Sequence, residues 1–143
     1  MNILNGKIQR RQQALIALFS GSPIQKSYGM SFRYDEHGSA IFELPYHPGF
    51  DHALGGVHGG VMATLLDNAG WFTVAAHHEF WIATVEFQTR LLEPVVKEDL
   101  QSRGWIIRPG KSITVAGMEV KTAAGRLVAV GSGSFTVTSK RFG

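Results

Sequence analysis

The sequence contains no cysteine among its 143 residues. This absence excludes disulfide bonds, thiolate metal sites and a cysteine nucleophile, and it favours a cytoplasmic protein. Long apolar runs are also missing, because no stretch approaches the roughly 18 residues that a membrane-spanning helix needs. We therefore expect no membrane partner. The first 34 residues carry basic but no acidic side chains, which leaves an organelle transit peptide as the alternative interpretation.

An excess of charge of one sign is also absent. The chain has 14 basic and 11 acidic residues, a formal net charge of +3, and its basic residues are scattered. This pattern argues against a nucleic-acid partner and suits a small anionic ligand. The candidate cations for such a ligand are spread over the second half of the chain: Arg90, Arg103, Arg108, Lys111 and Arg126.

The length and the apolar fraction of 44% predict a single domain over residues 1–143. An N-terminal helix is expected within residues 1–24, ahead of a core over residues 25–138. Residues 7–20 place four apolar side chains on one helical face, namely Ile8, Leu15, Leu18 and Phe19. The sequence GSP at 21–23 ends that helix.

The remaining elements are extended segments around one apolar helix. Residues 29–44 predict a hairpin, and residues 60–77 predict a helix that is apolar on most sides and therefore buried. From Trp81 to Leu91, polar and apolar residues alternate with the period of a strand that packs one face. Two further hairpins turn at residues 108–111 and 122–125. Together these elements predict an α+β fold with a mostly antiparallel sheet and one buried helix.

One carboxylate, Asp67, lies within the apolar helix. Burying a carboxylate is costly, so it either finds hydrogen-bond partners or its pKa rises. Gly59 and Gly60 stand where the helix begins, which leaves the first backbone N–H groups unshielded at the positive end of the helix dipole. Such an end can hold an anion or an oxyanion. A structural hydrogen bond and a plain tight turn are the alternative interpretations of these two features.

The sequence HGGVMATLLDNAG, followed by TVEFQTRLLEP, resembles the hotdog-fold acyl-CoA thioesterases of the phenylacetyl-CoA thioesterase branch. That branch has the pattern N-x-x-G-x-x-H-G-G-x-x-x-x-L-x-D, then a strand T/S-V-D/E-x-x-x-x-x-L-x-P. The residues in register are Gly55, His58, Gly59, Gly60, Leu65 and Asp67, then Thr84, Val85, Glu86, Leu92 and Pro94. The resemblance spans about residues 25–138 and implies a hotdog fold, in which the sheet wraps around one long central helix, with an extra N-terminal helix.

The resemblance also implies an activity, the hydrolysis of an aryl or short- to medium-chain acyl-CoA to the free acid and coenzyme A. The N–H of Gly59, with that of Gly60, would polarise the thioester carbonyl, and Asp67 of the opposite subunit would be the general base or the nucleophile. Thr84 would hold the attacking water, and His58 would shape the carbonyl site or only brace the loop. Coenzyme A is part of the substrate, so neither a cofactor nor a metal is implied. The site would lie between subunits of a homodimer or homotetramer.

One position departs from the family pattern, because His52 stands where the branch has asparagine. His52 and Asn68 are candidate substrate-binding residues together with Arg90 and Arg108. Two alternatives remain open, a non-catalytic acyl-CoA binding or sensing protein on the same fold and a hotdog dehydratase or hydratase. His52 favours the first alternative, whereas Asp67 together with the HGG sequence fits hydrolysis better than dehydration or hydration.

Overall fold

Two helices precede the sheet in the computed structural model, which describes residues 3–142. α1 spans Ile3–Ser20 and α2 spans Pro23–Tyr28. The predicted end of the first helix is confirmed, but the sequence pattern does not predict α2, because six residues are too few to establish a helical period. Ser22 caps α2 by accepting a hydrogen bond from the Gln25 amide, as expected of a serine at an N-cap.

α1 contributes only part of its predicted apolar face to the core. Leu15 and Phe19 are buried, and Ile8 packs against them at the edge of the core. Leu18, although predicted to share the apolar face, is 49% exposed. Leu15 and Phe19 are four residues apart and form one stripe, from which Leu18 is rotated away.

Residues 3–142 contain six strands, which form one antiparallel sheet. In chain order they are β1 (Ser31–Tyr34), β2 (Ala40–Leu44), β3 (Phe80–Leu91), β4 (Leu100–Arg108), β5 (Ile113–Thr122) and β6 (Leu127–Arg141). The three predicted hairpins are confirmed, since they connect β1 to β2, β4 to β5 and β5 to β6. The order across the sheet is β1-β2-β4-β5-β6-β3, so β3 is an edge strand although it lies in the middle of the chain.

The buried helix, α3, spans Gly59–Ala75 and lies against the sheet. Leu65, Leu66 and Ala69 have no exposed surface, which confirms the prediction of a helix buried on most sides. Gly104 of β4 lets helix and sheet approach closely, because a Cβ at this position would stand 2.2 Å from the carbonyl oxygen of Ala69. The core therefore fills the space between α3 and the sheet, and residues on α3 are held by close packing.

β3 does not alternate regularly along its whole length. Its register with β6 shifts between Thr84 and Glu86, which marks a β-bulge that includes the exposed Val85. Ile82 before the bulge and Phe87 after it both pack against the core. The single alternation predicted for this strand is therefore wrong beyond Thr84, because one extra residue reverses the face of every later side chain.

Candidate functional site

The strand region before the bulge directs Thr84 toward the middle of α3. The Thr84 hydroxyl donates a 2.9 Å hydrogen bond to Oδ1 of the half-buried Asp67. Burial raises the pKa of Asp67 above its ordinary 3.8, and the Thr84 hydrogen bond opposes this rise because it stabilises the charged form. The structure thus brings together the acid and the hydroxyl that came from two separate sequence motifs.

The N terminus of α3 presents one unused backbone donor. His58 is the N-cap of this helix, and its Nδ1 accepts a 2.8 Å hydrogen bond from the Gly60 amide. The Gly59 amide has no acceptor within residues 3–142. Gly59 is therefore the donor that a ligand can use. The Gly60 amide is already bonded to His58. His58 therefore braces the loop before α3.

A cavity of about 270 Å³ opens beside Gly59. Its other lining residues come from the loop before α3, from α3, from the end of β3 and from the chain that follows β3: His52, Val57, Met62, Leu91, Leu92, Glu93, Pro94 and Val95. Nδ1 of His52 accepts a hydrogen bond from the Leu54 amide at 3.1 Å, which leaves the imidazole proton on Nε2. Two predicted residues, His52 and Gly59, therefore line one cavity.

Asp67 does not line this cavity. Gly59 and Asp67 lie eight residues apart on α3, which is about 12 Å along the axis of an α-helix. A base and an oxyanion donor that act on one carbonyl group each lie within about 3 Å of the reacting atoms. Gly59 and Asp67 of the same chain are too far apart to meet this requirement.

Asn68 does not join the cavity either. Its side-chain amide lies 3.4 Å from the sulfur of the buried Met30 and is half-buried there. This contact is within the subunit, so the geometry gives no support to the predicted substrate-binding role of Asn68.

The five candidate cations fall into two groups. Arg103 and Arg126 are already paired with carboxylates, Arg103 with Asp35 and Glu119, and Arg126 with two glutamates. Three others are exposed and form no ion pair within the described residues: Arg90, Arg108 and Lys111. These three cations are available to an anionic ligand.

The part of the cavity wall formed by the end of β3 and the chain after it was not predicted from the sequence. Leu91 lies so close to Gly59 that a Cβ on Gly59 would stand 2.7 Å from Leu91 Cδ1. Val95 is 2% exposed, and its carbonyl accepts a hydrogen bond from the Val57 amide at 2.9 Å. The strand motif runs into this segment and was the available signal, but a motif position does not reveal which cavity a residue lines.

The structure also bears on metal and membrane sites. Between residues 3 and 142, no three side chains of His, Asp or Glu come together in a way that could hold a metal ion. In the same part of the chain, no helix combines the length and the apolar character needed to cross a membrane.

Comparison with known proteins identifies the family. The profile of the Thioesterase superfamily matches residues 54–129, a range that contains Gly59, Asp67 and Thr84. The chain belongs to the thioesterase superfamily. One relative from Saccharolobus solfataricus is 30% identical over 103 residues, which cover 71% of this chain and 74% of that protein. Another from Halobacterium salinarum is 32% identical over 126 residues, covering 76% and 80%. Both bear the name "Putative esterase".

Solved structures of other proteins share the fold of this thioesterase-superfamily member. The E. coli PaaI protein from the phenylacetic acid degradation operon superposes with a TM-score of 0.84 at 16% identity, over 96% of this chain and 98% of that chain. Thioesterase HI1161 from Haemophilus influenzae superposes with a TM-score of 0.80 at 19% identity, over 89% and 90%. The predicted hotdog fold and the family resemblance are confirmed. Family membership supports a thioester or ester hydrolase in general.

Proposed function

We propose that this thioesterase-superfamily protein hydrolyses an acyl-CoA to the free acid and coenzyme A, at a site shared by two subunits. The observation that carries the proposal is the contact between Asp67 and Thr84, together with the unused N–H donor of Gly59 at a helix N terminus. A base and an oxyanion donor are the two groups that acyl transfer to water requires.

In the proposed reaction, water attacks the thioester carbonyl carbon and gives one proton to the carboxylate of Asp67. Burial supports this role because it raises the pKa of Asp67, and so makes the carboxylate a stronger base than a solvated aspartate. The Thr84 hydroxyl lies beside the carboxylate and would orient the same water. The C–S bond then breaks, and the proton passes from Asp67 to the departing thiolate of coenzyme A. Direct attack by Asp67, through an anhydride that water opens, is the alternative that these residues permit.

The negative charge that develops on the carbonyl oxygen would be held by N–H donors at the start of α3. The Gly59 amide is preorganised at the positive end of the helix dipole, where hydrogen bonds to an anion are strongest. His52 lines the same cavity and would supply a second donor through Nε2–H, since the Leu54 amide occupies the other ring nitrogen. His52 would thus take the place of the asparagine of the family pattern as a substrate contact.

Two copies of the chain would complete the site. Gly59 and Asp67 of one chain are too far apart to act on the same carbonyl, so the base is expected to come from a second subunit. β3 supports this arrangement because it is an edge strand of 12 residues whose Val85 is 57% exposed. A long edge strand with apolar side chains is normally covered by a partner. Pairing β3 with β3 of another copy would do so with two-fold symmetry.

The substrate class follows from the surroundings of the donors. The cavity beside Gly59 is lined mainly by apolar residues, which suits an aryl or short- to medium-chain acyl group. The exposed cations Arg90, Arg108 and Lys111 are candidates for the phosphates of coenzyme A. A carrier with several negative charges would use them, whereas a simple neutral ester would not.

The first experiment measures thiol release from aryl, short, medium and long acyl-CoAs. The chain has no cysteine, so the enzyme adds no thiol background. We expect release by the wild type and loss of release in Asp67→Asn and in Gly59→Val. Binding of acyl-CoA without any release would instead support the binding or sensing protein.

Co-expression of the two inactive variants tests the shared site. In a mixed dimer, one site would carry both substitutions and the other would carry neither, so about a quarter of the wild-type activity is expected at random pairing in a two-fold dimer. If each site lay within one subunit, every site would carry one defect. An inactive mixture that contains mixed dimers would therefore contradict the proposed interface.

A further inference from the structure

Residues 92–98, here called the wall segment, follow β3 and belong to no helix or strand. Their first four residues line the cavity beside Gly59. Lys97 in this segment has a φ of 50° and is the one non-glycine residue with positive φ in the described chain. Such a conformation persists where surrounding contacts hold it. The contacts that hold the wall segment therefore also shape the cavity.

One side chain from a distant part of the sequence holds both ends of the wall segment. The Arg126 guanidinium donates from Nη1 to Glu93 at 2.7 Å and to the Pro94 carbonyl at 3.4 Å. Its Nη2 donates to Glu98. A planar guanidinium can serve two carboxylates in a defined geometry, which the point charge of a lysine does not reproduce. We call these contacts of Arg126 the clamp. Lys97, the residue with positive φ, lies between Glu93 and Glu98 in the sequence and so within the part of the chain that the clamp holds.

Arg126 is itself fixed by the hairpin between β5 and β6. Gly125 adopts a φ of 93° in that turn. The Arg126 amide donates to Thr122 Oγ1 at 3.2 Å, and the Arg126 carbonyl accepts from the Thr122 amide at 2.9 Å. The clamp thus ties a segment without regular structure to a hairpin of the sheet.

The wall segment is connected to the oxyanion donor. The Val95 carbonyl accepts a hydrogen bond from the amide of Val57, which precedes Gly59 by two residues. A shift of the wall segment would move this carbonyl and with it the loop that leads into α3. Leu92, at the other end of the wall segment, donates its amide to the Val128 carbonyl at 2.9 Å and is 48% exposed at the cavity.

We propose that Arg126 is a positioning residue that sets the acyl selectivity of the site by holding the wall segment. This inference rests on the proposed function, because it takes the cavity beside Gly59 to receive the acyl group. An acyl carbonyl bound to the Gly59 amide brings the adjoining carbons against Leu92, Pro94 and Val95. Because the Arg126 contacts hold these wall residues in place beside Gly59, we expect the wild type to favour a compact acyl group.

The test compares Arg126→Gln with Arg126→Lys and with the matched control Arg33→Gln. Arg33 pairs with Glu43 at 3.6 Å on the β1 and β2 side of the sheet, so this control loses an exposed arginine ion pair away from the wall segment. We measure kcat and KM over a series of acyl-CoA chain lengths, and amide hydrogen exchange at Val57 in the same proteins.

For Arg126→Gln we expect KM for the preferred acyl-CoA to rise about 10-fold, since small displacements near reacting groups have large effects. The preference for compact over long acyl chains falls, and the Val57 amide exchanges faster. Arg126→Lys keeps one charged contact, so it should recover part of the preference for compact acyl chains and part of the slow exchange of the Val57 amide. Arg33→Gln behaves as the wild type.

Three results overturn the positioning role. They are an unchanged chain-length profile in Arg126→Gln, an equal change in Arg33→Gln, and a changed profile in Arg126→Gln without faster exchange at Val57. If the wild type releases no thiol from any acyl-CoA, the proposed function fails first. Exchange at Val57 then still reports whether the clamp holds the loop, so the two failures are distinguishable.

Discussion

Replacing Asp67 by asparagine separates the proposed catalytic role of this carboxylate from its effect on stability. The asparagine has nearly the same shape and still accepts the hydrogen bond that Thr84 donates through its hydroxyl. It cannot take a proton from water at neutral pH. Loss of a general base typically lowers the rate by about 100- to 10,000-fold, so kcat of Asp67→Asn should fall by at least the lower figure.

The same substitution should stabilise the folded protein. Burial raises the pKa of Asp67 in the folded state, which means that the ionised carboxylate is less favourable there than in the unfolded chain. Asparagine carries no charge to desolvate. A single stabilising substitution commonly contributes about 0.5 to 2 kcal/mol. Since Asp67 is half-buried and keeps one hydrogen bond, we expect about 1 kcal/mol, or about 4 °C in Tm for a chain of this size.

The stability difference between the two proteins should depend on pH in a defined direction. A carboxylate whose pKa is raised by folding destabilises the protein above its folded pKa, and this effect disappears as the pH falls below the unfolded value. The advantage of Asp67→Asn should therefore be largest at neutral pH and vanish below pH 3.8, the ordinary pKa of aspartate. Urea denaturation at matched protein concentration measures it. A variant that is less stable at pH 7, or a difference that does not change with pH, would falsify the argument from burial.

Three further substitutions test other contacts of the site and the fold. Thr84→Val removes the hydroxyl that lowers the pKa of Asp67, so the fall of kcat/KM on the acid side of its pH profile should begin at higher pH. Thr84→Ser keeps the hydroxyl and should leave the pH profile unchanged. An unchanged pH profile in Thr84→Val would contradict the role of this contact. Gly104→Ala places a Cβ 2.2 Å from the Ala69 carbonyl oxygen and should lower the unfolding free energy by about 1 to 3 kcal/mol, which an unchanged urea midpoint would disprove. Gly59→Ala should raise KM, because the added methyl lies at the cavity beside the amide donor, and unchanged kinetics would remove the proposed carbonyl site.

The local sequence determined much of this protein. Residue period and turn composition were sufficient to predict α3, the three hairpins and an antiparallel sheet, since each depends on neighbours within about one turn or one hairpin. The HGG sequence and the acid eight residues later lie on one continuous helix, so their spacing also followed from the sequence. The family resemblance placed Asp67 and Thr84 in one predicted site, and in the structure a hydrogen bond of 2.9 Å joins their side chains.

Tertiary structure alone decided which of these groups can act together. The bulge at Val85 depends on how β3 pairs with β6, about 50 residues further along the chain, and no local period reports it. The contacts of Arg126 with the wall segment join parts of the chain that are distant in sequence. Such contacts depend on where the folded backbone places each side chain, which the order of residues along one segment does not specify.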